Sequence, residues 1–118
     1  MSDDLTTWSA ARLCGALRGR QISAVDAMEA ALDRIGAING DLNAIVSLKD
    51  RHDLIEEAAQ ADAGPVQGML HGVPVAGKDL SDVAGIPTTS GSPLFANHVP
   101  ASDGPMVARL KAAGALVI

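Results

Sequence analysis

One side chain in this sequence is placed to do proton chemistry. Lys78 closes the stretch Leu70-His71-Gly72-Val73-Pro74-Val75-Ala76-Gly77-Lys78-Asp79, an apolar, β-leaning run that ends on a lysine. A lysine carried to the end of an interior strand is partly desolvated, and desolvation favours the neutral amine, which accepts protons near neutral pH. Lys78 is therefore a candidate general base. Position alone is a weak warrant, because most lysines at strand ends are solvated or ion-paired surface groups.

The competing chemistries are poorer fits. Gly72 to Asp79 spells G-x-x-x-x-G-K-D, one residue from the phosphate-binding loop that ends in Lys-Ser or Lys-Thr. Asp79 puts a carboxylate where the magnesium-binding hydroxyl belongs. Val73-Pro74-Val75 is a stiff strand, without an N–H at Pro74, where a cradle of amides is needed. Gly85 and Pro87 also follow too soon for Asp79 to open a helix, so nucleotide binding is not expected. His52 lies among charged residues, and Glu56 at i+4 is a lone pairing too weak for a metal site. No metal or other cofactor is expected. Cys14 sits on an apolar helical stripe with no basic neighbour to activate it, which reads as core packing.

The elements that must position Lys78 follow from periodicity and capping. Ala10, Leu13, Cys14 and Leu17 fall at helical spacing, with Thr6 or Thr7 as N-cap and Gly19 as stop. A second helix starts at Ser23, with Asp26 completing a capping box, buries Met28, Ala31, Leu32 and Ile35, and ends at Asn39-Gly40. Ala44 to Leu48 reads as a short strand. Asp50 to about Ala63 reads as a helix with Leu54, Ile55 and Ala58 inward, closed by Gly64-Pro65. A strand from Val73 to Gly77 then leads into a long irregular loop, Asp79 to Ser102, of a length that usually lines a site. Ser102 or Asp103 caps a helix to about Ala113, with Pro105 in its first turn, Met106, Val107 and Leu110 on one face, and Gly114 as stop. Ala115 to Ile118 begins another strand. Strand, loop, helix, strand is the order of a βαβ unit with parallel strands and a right-handed crossover.

Composition bounds the setting. The chain has 118 residues, is 47% apolar, and has Trp8 and Phe95 as its only aromatics, so it has the length of one domain or of a piece of a larger one. A net charge of −5 argues against an electrostatic hold on nucleic acid or on an anionic membrane. Met1-Ser2-Asp3-Asp4 lacks the basic and apolar regions of a secretory signal, and no apolar run approaches the roughly 20 residues of a membrane span. The single Cys14 rules out an internal disulfide and fits a reducing compartment. A cytoplasmic protein is expected. The sequence ends on Leu116-Val117-Ile118 inside a strand, which reads as the N-terminal piece of a larger α/β fold. Its uncovered sheet edges would favour self-association.

Lys78 and its flanks carry a specific resemblance. Leu70 to Asp79, then Ala84-Gly85-Ile86-Pro87-Thr88-Thr89 with Gly91-Ser92, resembles the N-terminal region of the amidase signature enzymes. The leading helix pair, the Asn43-Ala44 turn, Val99-Pro100-Ala101 before Asp103, and Val107-Ala108-Arg109-Leu110 into Gly114-Ala115 match in order and spacing. The resemblance implies an α/β fold of helices packed on a mixed sheet, with residues 1–118 forming the N-terminal part of one amidase domain. Within it, 5–40 is a helical lead, 43–118 is the sheet and βαβ portion, and there is no second domain.

It also implies amide hydrolysis by a Ser-cisSer-Lys triad on a small-molecule amide, with Lys78 in the lysine position. The serine-bearing segment of the family lies downstream of Ile118. Ser81, Ser90, Ser92 and Ser102 do not match it, and Ser90-Gly91-Ser92 belongs to the loop after the lysine strand. The chain is thus expected to be inactive alone. Two other functions stay open: a tRNA-dependent amidotransferase subunit of the same family, and a non-catalytic remnant with a structural or interaction role.

Overall fold

Capping side chains decide where the first three α-helices begin in the computed structural model, which describes residues 3–118. Met1 and Ser2 of the acidic N-terminus lie outside the described residues. Asp4 accepts from the Thr6 N–H at 2.9 Å and opens a short 3-10 turn, Leu5–Thr7. Ser9, rather than Thr6 or Thr7, then caps α1 (Ala10–Arg18), accepting from the Arg12 N–H at 3.2 Å. The threonine hydroxyls are engaged elsewhere: Thr6 donates to the Asp4 carboxylate at 2.7 Å and Thr7 to the Asp4 carbonyl at 2.8 Å. Gly19 ends α1 as the sequence predicts.

Helix α2 (Ala24–Leu42) opens on the Ser23–Asp26 capping box but runs past Asn39-Gly40 to Asn43, whose φ of 49° stops it. Asn39 serves the exit instead. Its side-chain amide donates to the Ile45 carbonyl and accepts from the Ile45 N–H, both at 2.9 Å. That exchange overturns the expected strand at 44–48: Ile45 has given its backbone groups to Asn39, and the sheet of the described residues holds no partner for the segment.

Helix α3 (Arg51–Ala63) is capped by Asp50 and closed at Gly64, as expected. Near its end, the Asp62 carboxylate accepts from the Ala24 N–H at 2.7 Å and the Val25 N–H at 3.1 Å. Arg20 donates to the Asp62 and Gly64 carbonyls at 3.0 and 2.7 Å. A carboxylate thus meets the amide end of α2 and a guanidinium meets the carbonyl end of α3, each complementing the local helix dipole.

Strands β1 (Pro74–Val75) and β2 (Leu116–Val117) pair in parallel, with Pro74 opposite Leu116 and Val75 opposite Val117. β1 is shorter than the expected 73–77 because its last ladder bond is the one that the Val75 carbonyl accepts from Ile118 at 3.1 Å. The described residues form this parallel pair alone; the antiparallel member that a mixed sheet requires is not among them. Backbone contact continues upstream, with Gly72 N–H donating to the Gly114 carbonyl at 2.9 Å. Only glycine fits at 114, where φ is +97° and a Cβ would lie 2.7 Å from the His71 Cα.

Helix α4 (Pro105–Ala112) links the strands, and its N-cap is Gly104, without a side-chain cap. Ser102 and Asp103 do not cap it; Asp103 bonds elsewhere, as described below. On α4, Val107 is fully buried, whereas Met106, expected on the same inward face, is 52% exposed. Ala10 of α1 is likewise exposed rather than inward.

Alternation along β2 divides the interior in two. Ile118 joins Cys14, Leu17, Met28, Leu32, Leu54, Ala58 and Val73 in a core built on α1–α3, with Leu116 packed against it. Val117 points the other way, to Val83, Ile86 and Val107. Among the described residues no helix is long and apolar enough to cross a membrane.

Candidate active site

Beyond β1 the chain enters a cleft of about 380 Å³, lined by residues 44–47, 76–81, Val83, 86–88, Ser90, Gly91 and Ile118. The cleft therefore gathers the exit of α2, the end of β1, the first turn of the long loop and the end of β2. Lys78 lies on its wall, in a turn closed by the Ser81 N–H donating to the Lys78 carbonyl at 2.9 Å. The expected desolvation is absent. The ordered strand stops at Val75, and Ala76, Gly77 and Lys78 are all exposed.

Lys78 differs from the other lysines in its electrostatics. Lys49 pairs with Glu57 at 2.8 Å and Lys111 with Asp103 at 2.9 Å. Lys78 makes no ion pair with any described residue, although Asp79 is its neighbour in sequence.

The Asp79 carboxylate is engaged on the other side. One oxygen accepts from the Thr89 N–H at 2.8 Å and the other from the Thr89 hydroxyl in a very short contact. The Asp79 carbonyl accepts from the Ser90 N–H at 2.9 Å. Hydrogen bonds from the Thr89 hydroxyl and then its amide hold the Asp79 carboxyl below the usual carboxylate range, and the Lys78 ammonium adds the smallest contribution. Ser90 and Gly91 have φ of 53° and 70°, and the Ser92 N–H returns to the Thr89 carbonyl at 3.0 Å. Two successive positive φ values closed by that bond make the tight turn that brings Thr89 back over Asp79.

The loop holding this clamp carries one short 3-10 turn, Pro93–Phe95, yet it is stapled throughout. Gly85 N–H donates to the Pro100 carbonyl at 3.1 Å, Thr88 N–H to the His98 carbonyl at 2.9 Å, and Gly104 N–H to the Asp82 carbonyl at 2.9 Å. Asp103 adds a side-chain staple, accepting from the Ala84 N–H at 2.9 Å as well as from Lys111. The Ala84 amide first, and the Lys111 ammonium second, hold the Asp103 carboxyl below its ordinary value.

The serines divide by place. Ser81 and Ser90 line the cleft with Lys78, whereas Ser92 caps the 3-10 turn, accepting from the Leu94 N–H at 3.3 Å, and Ser102 is exposed outside it. His52 is exposed on α3, 3.9 Å from the Asp53 carboxylate. Cys14 is buried in the helical core. The cleft thus brings together an unpaired amine and two hydroxyls, with its carboxylate already occupied. In the sequence Lys78 stands out, Asp79 reads only as a mismatch to a phosphate loop, and Thr89 is not singled out. The available signal was the Ser90-Gly91 dipeptide, whose turn chemistry sends Thr89 back toward the strand end.

Comparison with known proteins gives concordant results. The family model described as Amidase matches residues 26–118. The chain is 41% identical over 117 residues to an indoleacetamide hydrolase of Bradyrhizobium diazoefficiens, a match covering 94% of this chain and 22% of that protein. It is 40% identical over 119 residues to a subunit of the glutamyl-tRNA(Gln) amidotransferase of Salinispora tropica, covering 98% of this chain and 24% of that one. The native peptide amidase from Stenotrophomonas maltophilia superposes with a TM-score of 0.84 at 30% identity, over 95% of this chain and 24% of that one. The chain spans about a quarter of the length of the relatives it matches.

Proposed function

The chain belongs to the amidase family, and on that premise we propose that it supplies the lysine-bearing wall of an amide-cleaving site, with Lys78 as the proton acceptor. The observation that carries this reading is the unpaired Lys78 amine on the wall of a cleft at the end of β1. In the family pattern the two serines lie on a segment that these 118 residues do not include. That segment, seated over the cleft, would bring a cis-configured serine to Lys78 and exclude water from the amine. Lys78 would then take a proton from the bridging serine, which takes one from the nucleophilic serine as its Oγ adds to the amide carbonyl carbon. Collapse of the adduct breaks the C–N bond, the leaving nitrogen receives the proton, and water releases the acyl group. A lysine amine in water holds its proton at neutral pH, so exclusion of water is what would let this amine act as a base there.

The near-equal likeness to a hydrolase and to an amidotransferase component keeps a second reading beside the first. There the same C–N cleavage would release ammonia for transfer by a partner, and Lys78 would have the same role. A chimera tests both readings. Residues 1–118 replace the matching quarter of a serine-bearing amidase relative, and hydrolysis of a simple amide is followed. Activity in the chimera that falls by about 10³-fold or more in Lys78→Ala supports the proposal, by the scale at which loss of a proton-transfer group acts. Undiminished turnover in Lys78→Ala would sink it, and amide hydrolysis by the 118 residues alone would show that the serines are not needed from elsewhere.

A further inference from the structure

Lys78 and Asp79 are opposite charges on adjacent residues, yet they form no ion pair, and the reason is visible in the loop. We propose that Thr89 is a positioning residue that occupies both oxygens of the Asp79 carboxylate and so keeps the Lys78 amine free in the cleft.

Three observations carry this. The Thr89 N–H reaches one carboxylate oxygen at 2.8 Å and its hydroxyl reaches the other, so neither oxygen is left without a donor. The turn that returns Thr89 to Asp79 is backbone-specified, with positive φ at Ser90 and Gly91 and the Asp79 carbonyl tied to the Ser90 N–H at 2.9 Å. Lys49 and Lys111, whose neighbouring carboxylates are within reach, are paired with them. A lysine beside a carboxylate in this chain therefore pairs where one oxygen is left without another donor, as at Asp103, whose bond from the Ala84 N–H occupies a single oxygen. At Asp79 both oxygens are held by Thr89. A base paired to a carboxylate would keep its proton, so the clamp serves proton transfer by removing the competing partner. Besides this electrostatic role it links the turn at 78–81 to the cleft-lining turn at 88–91.

The inference rests on the reading of Lys78 as proton acceptor, but its test does not require catalysis. The 118-residue chain is trace-labelled with a water-soluble acetylating reagent, and the fractions modified at Lys78, Lys49 and Lys111 are read by mass spectrometry. Lys49 and Lys111 serve as internal references. In Thr89→Val, which keeps the volume and loses the hydroxyl, the freed carboxylate turns to Lys78 and labelling there falls about two- to fivefold, the scale of an exposed ion pair. Thr89→Ser restores it. Adding Asp79→Asn to Thr89→Val also restores it, an outcome that a merely structural role for Thr89 would not give, since two structural losses would add. Asp79→Asn alone leaves Lys78 labelling within about twofold of the parent chain, because the charge it removes was not pairing with Lys78. Unchanged labelling in Thr89→Val overturns the proposal. Marked acceleration in Asp79→Asn overturns it too, and that measurement decides the matter even if Thr89→Val fails to fold. A chimera that stays active as Lys78→Ala would remove the functional reading while leaving this labelling pattern intact, so the two failures are separable.

Discussion

Met28 and Leu54 are fully buried in the core of α1–α3, whereas the stretch from 79 to 104 buries only Val83, Ile86, Thr88 and Pro100 and leaves Leu80 and Leu94 61% and 90% exposed. The helical region is held by apolar contact with capped ends. The cleft-lining region is held by single hydrogen bonds, most from backbone amides to backbone carbonyls and two, at Ala84 and Thr89, to side-chain carboxylates. The first kind of order is shared, because each buried side chain touches many others and its loss is felt across them all. The second is not, since each staple fixes a separate piece of loop. Loss of one contact should therefore lower global stability in the helical region and release local structure in the cleft region.

The sharpest test of that contrast is truncation. Leu54→Ala should destabilise the chain by about 2–5 kcal/mol, read from the midpoint and slope of a denaturant melt, because it opens a cavity at a site with no solvent access. Leu94→Ala, on the exposed 3-10 turn, should change it by less than about 0.5 kcal/mol. Equal effects would mean that the loop's exposed apolar side chains are packed in solution and that the contrast fails.

A smaller effect is expected where the helical region itself relies on a carboxylate. Asp62→Ala removes the acceptor for the Ala24 and Val25 amides and should cost about 1–2 kcal/mol, as for the loss of an N-cap. Hydrogen exchange should rise first at Ala24 and Val25, with the middle of α2 protected by its own ladder. Uniform loss of protection along α2 would show that Asp62 holds the whole helix rather than its end.

The same division decides what could be read from the sequence. The Ser23–Asp26 box, the Asp50 cap and the Gly19 and Gly64 stops are local devices, fixed by residues within four of one another, and they stand where the pattern puts them. The strand at 44–48 was illegible because strand identity depends on a neighbour, and Asn39 takes the Ile45 groups first. Asp103 looked like an N-cap because a local reading cannot see the Ala84 amide, 19 residues upstream, which it serves instead. Lys78 was legible as a residue following a strand, and its place on the cleft wall follows from β1. Its solvent exposure was not legible, because exposure is set by whatever packs over the strand end rather than by the strand. Thr89 was missed for the same reason as Asp103: its partner is ten residues away across a turn.

The smallest expected effect distinguishes the two regions by pH. Asp79 and Asp103 are the cleft-region carboxyls held below their ordinary value, in each case first by hydrogen bonds from the loop. A carboxyl with a lowered folded-state pKa binds its proton more weakly when folded, so acid favours the unfolded chain. The stabilisation is complete above the unfolded value of about 3.9 and is lost as pH falls below it through the folded value. Acidification from neutral to about pH 3 should therefore loosen the loop before the helical core melts, with exchange rising at the Thr89 and Ala84 amides. Asp103→Asn, with a side chain four-fifths buried, keeps an acceptor for Ala84 but loses the charge facing Lys111, 2.9 Å away. It should lower stability at neutral pH by no more than about 1 kcal/mol and flatten the acid limb of the stability profile. If the acid limb keeps its slope in Asp103→Asn and Asp79→Asn alike, the loop staples are not what acid breaks. The pH sensitivity would then belong to the helical caps, and the two regions would differ in packing but not in how their charges hold them.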